Sequence, residues 1–394
     1  MTARAGQLAA LAAELSKGAA QLESQLIELV CELTAIDAPS GSGAETMGPA
    51  SAAFARILGR FSRSAELLPT PRGDLIEFKV GPAGDTHVLV LGHYDTVWPA
   101  GTAAERPAKV VGDSLYGPGT YDMRGGIAAA FSALSLLGEA RLPIPVRFLL
   151  TPDEETGSAC SRERIVELGR AAQCALVLEP PLPAGGIKTS RSGWTVYELT
   201  VSGVSAHAGL EPERGVSAID ELCDTIVELR GVADADVGTT INVGVISGGT
   251  LPNLVAAQAT AQVDVRTRST AEDARVLDAL ASLRPRRKGA GLKVKQLHSR
   301  PAMERSPATA LAYQHIQRLA RALGQPLGEG HAGGTSDANL IAPLGLPVID
   351  GLGPDGAGAH ARDERILISS LVERTALLAL LLAYPPGRAH SAVA

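Results

Sequence analysis

A chain of 394 residues, 45% apolar and 20% charged, is long enough for a sizeable core and two domains, which excludes the disordered and fibrous classes. A formal net charge of −6 without any Lys/Arg-rich run argues against nucleic acid and anionic membrane surfaces as partners. Four scattered cysteines (Cys31, Cys160, Cys174 and Cys223) with no CxxC pair fit reduced thiols and a cytoplasmic location.

The N-terminal stretch has the patterning of an amphipathic helix. Glu14, Lys17 and Glu23 interrupt the apolar core that a signal peptide needs. No run of about 18 apolar residues is present for a membrane span. "SGSGAETMGPASAAFARILGRF" predicts a Gly/Ser loop and then a helix from Ala50 to Phe61. "HVLVLGHYDTV", "IPVRFLLTPDEE" and "CALVLEP" are continuous apolar runs, as expected of strands buried on both faces, and "GGIAAAFSALSLLGEARL" is an Ala/Leu helix between the first two. Such alternation predicts an α/β fold with a mostly parallel sheet.

The pattern changes at "KTSRSGWTVYELTVSG", where Thr195, Tyr197, Leu199 and Val201 alternate with their neighbours as in a half-exposed antiparallel strand. A helix follows with Ile219, Cys223, Ile226 and Leu229 on one face. After it come "TTINVGVIS", "ATAQVDVRT", the helical "AEDARVLDALASLR" and "GLKVKQLH". This β-α-β-β-α-β order predicts a ferredoxin-like α+β insert. The expected division is 1–190 and 303–394 for the α/β domain and 191–302 for the insert, with hinges near Thr189–Gly193 and Ser299–Ala302.

In open α/β sheets, functional groups collect past the carboxyl ends of strands. His93 follows "VLVLG", with Asp95 two residues on, where a carboxylate can orient a metal-bound imidazole. Asp122 lies between glycines in "GPGTYDMRGG"; Glu154 and Glu155 follow one strand, Glu179 another, and His360 a third. Each has an ordinary alternative as a cap, a loop charge or a solvated edge. Their recurrence at one sheet edge is what points to divalent metal. Mixed nitrogen and oxygen donors without sulfur suit zinc, with cobalt or manganese as alternatives. Two metals about 3.5 Å apart, bridged by one carboxylate, use all five ligands.

At this point the residues resemble the co-catalytic zinc peptidases that include bacterial glutamate carboxypeptidase, acetylornithine deacetylase, succinyl-diaminopimelate desuccinylase and aminoacylase. The resemblance runs in order through "GHYDTV", "GPGTYDMRGG", "PDEETGS", "LEP", "GVSAHAG", "LPNLVAAQATAQVDVR", "GGTSDAN" and "GAGAH", and the wording is most similar to the glutamate carboxypeptidase branch. It implies a phosphorylase/hydrolase-like catalytic domain whose insert is a lid and dimerisation domain. It further implies two zinc ions: His93 and Glu179 on one, Glu155 and His360 on the other, Asp122 bridging. Glu154 is then the general base, Asp95 the partner of His93, and the Asp122–Met123 peptide cis. His207 in "SAHAG" is expected to cross between subunits and polarise the scissile carbonyl. Asn253 and Arg266 are expected to hold the substrate carboxylate, for which a planar guanidinium is well suited. Gly333, Gly334 and Thr335 are expected to contribute contacts to substrate, with Arg300 a further candidate. Without the resemblance, His207 reads as a structural histidine, and Arg266 and Arg300 as solvated charges.

The implied activity is cleavage of the amide bond of an N-acyl amino acid or peptide with a free carboxylate. Alternatives are amino-acid deacylation, dipeptide cleavage, or a non-catalytic metal-binding scaffold. The intact Glu154 argues against the scaffold. "GGTSDAN" and Trp98 depart from the branch's usual wording and are expected to reshape the acyl side of the pocket.

Overall fold

The computed structural model describes residues 2–62 and 65–387. They form two compact units. The first takes the chain up to Thr189, Arg305–His331 and everything from Ser336; the second takes Ser190–Glu304 and Ala332–Thr335.

The first unit is built on a six-stranded sheet of β1 (Ala65–Leu68), β2 (Leu75–Val80), β3 (His87–His93), β4 (Val146–Thr151), β5 (Ala172–Val177) and β6 (Val348–Ile349). Their spatial order is β1-β2-β4-β3-β5-β6. The run β4-β3-β5-β6 is parallel, and β2 and β1 extend it antiparallel at one edge. Every residue of β3 is buried, which is why its sequence shows no polar alternation.

Among the described residues, the longer helices of this unit are α1 (Thr2–Gln21), α2 (Glu23–Thr34), α3 (Ala44–Leu58), α4 (Gly125–Leu137), α5 (Arg162–Ala171), α6 (Pro307–Ala322) and α7 (Ile368–Ala383). α4 packs between the sheet and α7, so it is apolar on nearly all sides. Its Phe131 packs edge-on against Phe78 of β2 and tilted against Phe148 of β4, with centroids 4.9 and 4.6 Å away. Gly126, in its first turn, has no room for a side chain: a Cβ there would stand 2.2 Å from the Leu178 carbonyl oxygen. The helix therefore rests directly on the backbone that leads from β5 to Glu179.

The second unit is a four-stranded antiparallel sheet with Thr240–Gly248, Gln258–Thr267, Gly193–Ser202 and Gly291–Arg300 side by side, in that order. The helices Ala218–Arg230 and Thr270–Ser282 cover one face, burying Tyr197, Leu199, Val201, Val263 and Val265 against Leu222, Leu229, Val276 and Leu280. The chain order is β-α-β-β-α-β, as the sequence predicts.

Three details differ from expectation. α3 starts at Ala44 rather than Ala50 and continues through Pro49. In helix Ala218–Arg230 the buried stripe is Ala218, Glu221, Leu222, Thr225 and Leu229, while Ile219 and Cys223 face outward. The cause is Glu221, which turns inward to accept the backbone N–H groups of Arg286 and Arg287, each at 2.8 Å. Finally, the first unit holds a small antiparallel sheet of Gly356–Ala357, Arg365–Leu367, Ser114–Tyr116 and Lys109–Val111. Strands of two or three residues carry no periodicity to read. Among the described residues, no helix is long and apolar enough to cross a membrane.

Candidate metal centre

β4, β3 and β5 end level with one another, His93 pairing with Thr151 and Leu91 with Val177. The residues just past those ends are therefore neighbours in space: Asp95 after β3, Glu154 and Glu155 after β4, Glu179 after β5. Asp122 comes from the tight turn Thr120–Arg124 before α4, and His360 from the loop between Gly356–Ala357 and Arg365–Leu367.

Two donor groups result, His93–Asp122–Glu179 and Asp122–Glu155–His360, each with ligand atoms within 4.8 Å of one another. Asp122 belongs to both. Its Oδ1 lies 3.1 Å from His93 Nε2, and its Oδ2 lies 3.4 Å from His360 Nε2. Glu179 Oε1 is 3.7 Å from His93 Nε2, and Glu155 Oε1 is 3.2 Å from His360 Nε2. The Asp122–Met123 peptide is cis. His360 adopts φ +62°, a conformation rare for a residue with a side chain and found mostly where surrounding structure enforces it.

The carboxylates create a strongly negative field. Burial pulls the His93 imidazole down, but Asp122 and Asp95 outweigh it and hold it well above its ordinary 6.5. Hydrogen bonds donated to the carboxylates of Asp122 and Glu155 push His360 up to about 10. Burial raises Asp122, yet His360 and His93 outweigh it and hold its carboxyl far below the usual range. Two imidazoles and three carboxylates without a thiolate, sharing one carboxylate, fit a pair of divalent cations.

Asp95, fully buried, organises the surroundings. The Nδ1–H of His93 donates to its backbone carbonyl at 3.0 Å, with the Asp95 carboxylate oxygen farther off at 3.4 Å, so Nε2 is the nitrogen turned toward the donors. The carboxylate itself accepts the N–H groups of Glu154 and Glu155, both at 3.3 Å, and the Ser40 hydroxyl at 2.7 Å. Asp95 thus meets His93 through both its backbone carbonyl and its carboxylate, and the carboxylate also fixes the Glu154–Glu155 turn. Asp153, the unassigned third acid of "DEE", is buried and accepts from the Ser161 hydroxyl and from Cys160 N–H at 2.7 Å, closing the turn before α5.

Several residues escaped sequence reasoning. Glu364 accepts from Gly119 N–H at 2.8 Å, Tyr121 and Asp122 N–H at 3.1 Å each, and the Trp98 indole at 3.0 Å. Trp98 is thereby a partner of the Asp122 turn, with Arg106 stacked over it at 4.5 Å. Ser336, the extra residue of "GGTSDAN", is buried and donates to Asp350 at 2.7 Å. Arg124, fully buried, donates to the carbonyls of Leu33, Thr34 and Tyr94. The acids and histidines of a motif announce chemistry; an acceptor of backbone N–H groups does not.

The remaining expected residues lie in the second unit. His207 is exposed, and its Nδ1 accepts from Gly209 and Leu210 N–H at 3.1 and 3.2 Å, which leaves the proton on Nε2 in the neutral ring. Asn253 sits on the segment paired with it, its carbonyl accepting from Ala208 N–H at 2.9 Å. Arg266 makes two hydrogen bonds to Asp264, at 2.9 and 3.1 Å, and lies 5.4 Å over the Trp194 ring. Arg191 holds the carbonyls of Gly334 and Thr335 at 3.1 and 3.2 Å, and Arg300 reaches the Thr335 hydroxyl at 3.3 Å.

Residues 89–384 match the family model of peptidase family M20/M25/M40, a span that contains all five donors. The chain belongs to this family. It is 32% identical over 329 residues to carboxypeptidase G2 of Pseudomonas sp. (strain RS-16), covering 82% of this chain and 78% of that protein. The fold is similar to that of aminopeptidase PepT from Bacillus cereus, with a TM-score of 0.72, 23% identity and coverage of 92% and 98%. It is also similar to YXEP of Bacillus subtilis, described as a dinuclear metal-binding M20 peptidase, with a TM-score of 0.64, 18% identity and coverage of 92% and 98%. The protein is therefore an M20 metallopeptidase or amidohydrolase.

Proposed function

We propose that this M20 enzyme is a di-zinc hydrolase that cleaves the amide bond of an N-acyl amino acid or short peptide ending in a free carboxylate, in the manner of a glutamate carboxypeptidase. The observation that carries the reading is Asp122, whose two oxygens face two different imidazoles. The 32% identity to carboxypeptidase G2 supports the choice of substrate class. Zinc is favoured over cobalt or manganese by the mixed imidazole and carboxylate donors.

His93, Asp122 and Glu179 would hold one cation, and Asp122, Glu155 and His360 the other. When bound, the pair supplies Lewis acidity to the amide carbonyl and to a water, lowering the water's pKa toward about 7. Glu154 is buried beside the donors, its N–H fixed by Asp95, and it takes a proton from the attacking water and returns it to the leaving amine. His207, with its proton on Nε2, donates to the developing oxyanion. Arg266 and Asn253 bind the carboxylate of the leaving amino acid, with Gly333, Gly334, Thr335 and Arg300 as further contacts.

The active form is a homodimer joined through the inserted unit, and His207 serves the partner subunit. The edge strand Thr240–Gly248, with Val245 and Ile246 more than half exposed, and the exposed Val227 on the neighbouring helix support this. The four free cysteines are in keeping with a reducing, cytoplasmic setting.

The test is metal analysis combined with a panel of N-acyl amino acids, folate-type glutamates, dipeptides, acetylornithine and succinyl-diaminopimelate. Glu154→Gln is expected to retain two metal ions per chain and lose about 10²- to 10⁴-fold in kcat. Near-normal turnover in that variant overturns the assignment of the base.

A further inference from the structure

The donor-bearing loops are not tied together by the donors alone. Glu364 stands four residues after His360 and is 1% exposed. Its Oε1 accepts from Tyr121 and Asp122 N–H, and its Oε2 from Gly119 N–H and the Trp98 indole. Trp98 follows the His93–Asp95 segment on the same loop. One carboxylate thus joins the loop after β3, the turn that presents Asp122, and the loop that presents His360.

The local backbone is shaped for this contact. Gly119 has φ +74°, and a Cβ there would press within 2.8 Å of Thr96 and 3.2 Å of Arg124, so only glycine turns its N–H inward at this point. Gly358 has φ +81° and would crowd the Glu364 backbone at 3.0 Å. Four donors on one buried carboxylate saturate its acceptor sites, a density unusual for a loop acid.

We propose that Glu364 is a positioning residue: it aims the two oxygens of Asp122 at the two donor groups, by holding the Asp122 N–H and locking the His360 loop against it. The inference rests on the proposed role of Asp122 as the shared ligand. A merely structural carboxylate contributes to folding but leaves ligand geometry unchanged. A positioning carboxylate changes metal affinity and the coordination spectrum.

Glu364→Gln separates the two. The amide keeps size and one acceptor, but its NH₂ meets N–H donors whichever way it turns. Cobalt(II) titration of the chelator-treated protein, followed by calorimetry and visible absorption, is expected to show affinity lowered about 10- to 100-fold, the range for loss of a partner that orients ligands, with a shifted absorption band. Hydrogen exchange at Gly119, Tyr121 and Asp122 is expected to accelerate in the same variant. Trp98→Phe, which leaves the three backbone donors in place, is expected to bind cobalt within about threefold of wild type. Should Glu364→Gln fail to fold, Glu364→Asp, one methylene short of reaching all four donors, is read in the same way.

Two cobalt ions bound with unchanged affinity and spectrum, together with a lowered melting temperature, overturn the proposal and leave the proposed function standing. Fewer than two ions bound by the wild type overturns both.

Discussion

Glu77 shows how a buried charge is held where no chemistry is at stake. Its side chain is fully enclosed within β2, and it receives Arg147 at 2.6 Å and Arg164 through two hydrogen bonds. Burial alone pushes this carboxyl up, but the two guanidinium groups outweigh burial and hold it below its ordinary value. The folded state therefore binds this proton more weakly than the unfolded chain. Its stabilisation is complete above the unfolded value of about 4.3 and fades as pH falls through the lower folded value. Glu77→Gln is expected to cost about 2–3 kcal/mol at pH 7, less than the roughly 3–5 kcal/mol of a fully enclosed pair, because both arginines regain some water. Denaturant midpoints of the two proteins at pH 7 and pH 3 check this; the gap should shrink at the lower pH. Such residues were illegible in the sequence, because the partners of Glu77 are arginines on β4 and α5, about 70 and 87 residues later in the chain. The candidate metal donors were easier to pick out, since each follows an apolar strand or a glycine-rich turn. Glu364 lay between these cases: an acid in a visible motif whose role depends on N–H groups over 200 residues away in the chain.

At the level of elements, the contact of α4 with the β5 loop sets the spacing between Asp122 and Glu179. Gly126→Ala puts a methyl group against the Leu178 carbonyl, and movement of the helix or the strand end would shift Asp122 or Glu179, two candidate donors. The expected cost is at the upper end of the overpacking range, about 3 kcal/mol, with weakened metal binding in parallel. Thermal melting and metal titration of the variant measure both; a stable protein with normal affinity contradicts the close contact. The long buried elements (β3, β4, β5 and α4) were legible because apolar runs of that length have few other uses. The inward face of helix Ala218–Arg230 was not. Its spacing favoured Ile219 and Cys223, but Glu221 rotates the helix by capturing two backbone N–H groups of a loop about 65 residues later. The short strands around His360 were invisible for a different reason: they are two and three residues long, and besides pairing with each other they depend on Ser114–Tyr116, far earlier in the chain, to hold Arg365–Leu367 on its other side.

Over the whole molecule, all five donors and Glu154 belong to one compact unit, and His207, Asn253 and Arg266 to the other. Each unit has its own buried core. Metal bound to the first unit stabilises that unit by mass action, by about 4 kcal/mol at a thousandfold excess over Kd. Scanning calorimetry is expected to resolve two transitions. Chelator should lower only the one that belongs to the donor-bearing unit, and equal shifts in both would show that the units melt together. The two-unit division was readable from the change in strand pattern near Gly193, where continuous apolar runs give way to alternation. The capture of Ala332–Thr335 by the second unit was not, because four residues of Gly, Ala and Thr carry no such signal.

The position of His360 has a consequence for the making of the protein. A ribosome delivers His93, Asp122, Glu155 and Glu179 first, and then the whole of the second unit before β6, His360 and Glu364 emerge. At about 5–20 residues per second, that interval is on the order of ten seconds or more. Until it ends, the chain owns every donor of one group and lacks a donor of the other. Translation thus sets the order in which the donors appear: the residues of the group around His93 are made early, whereas His360 and the Glu364 that holds the Asp122 turn come only with a much later stretch of the chain.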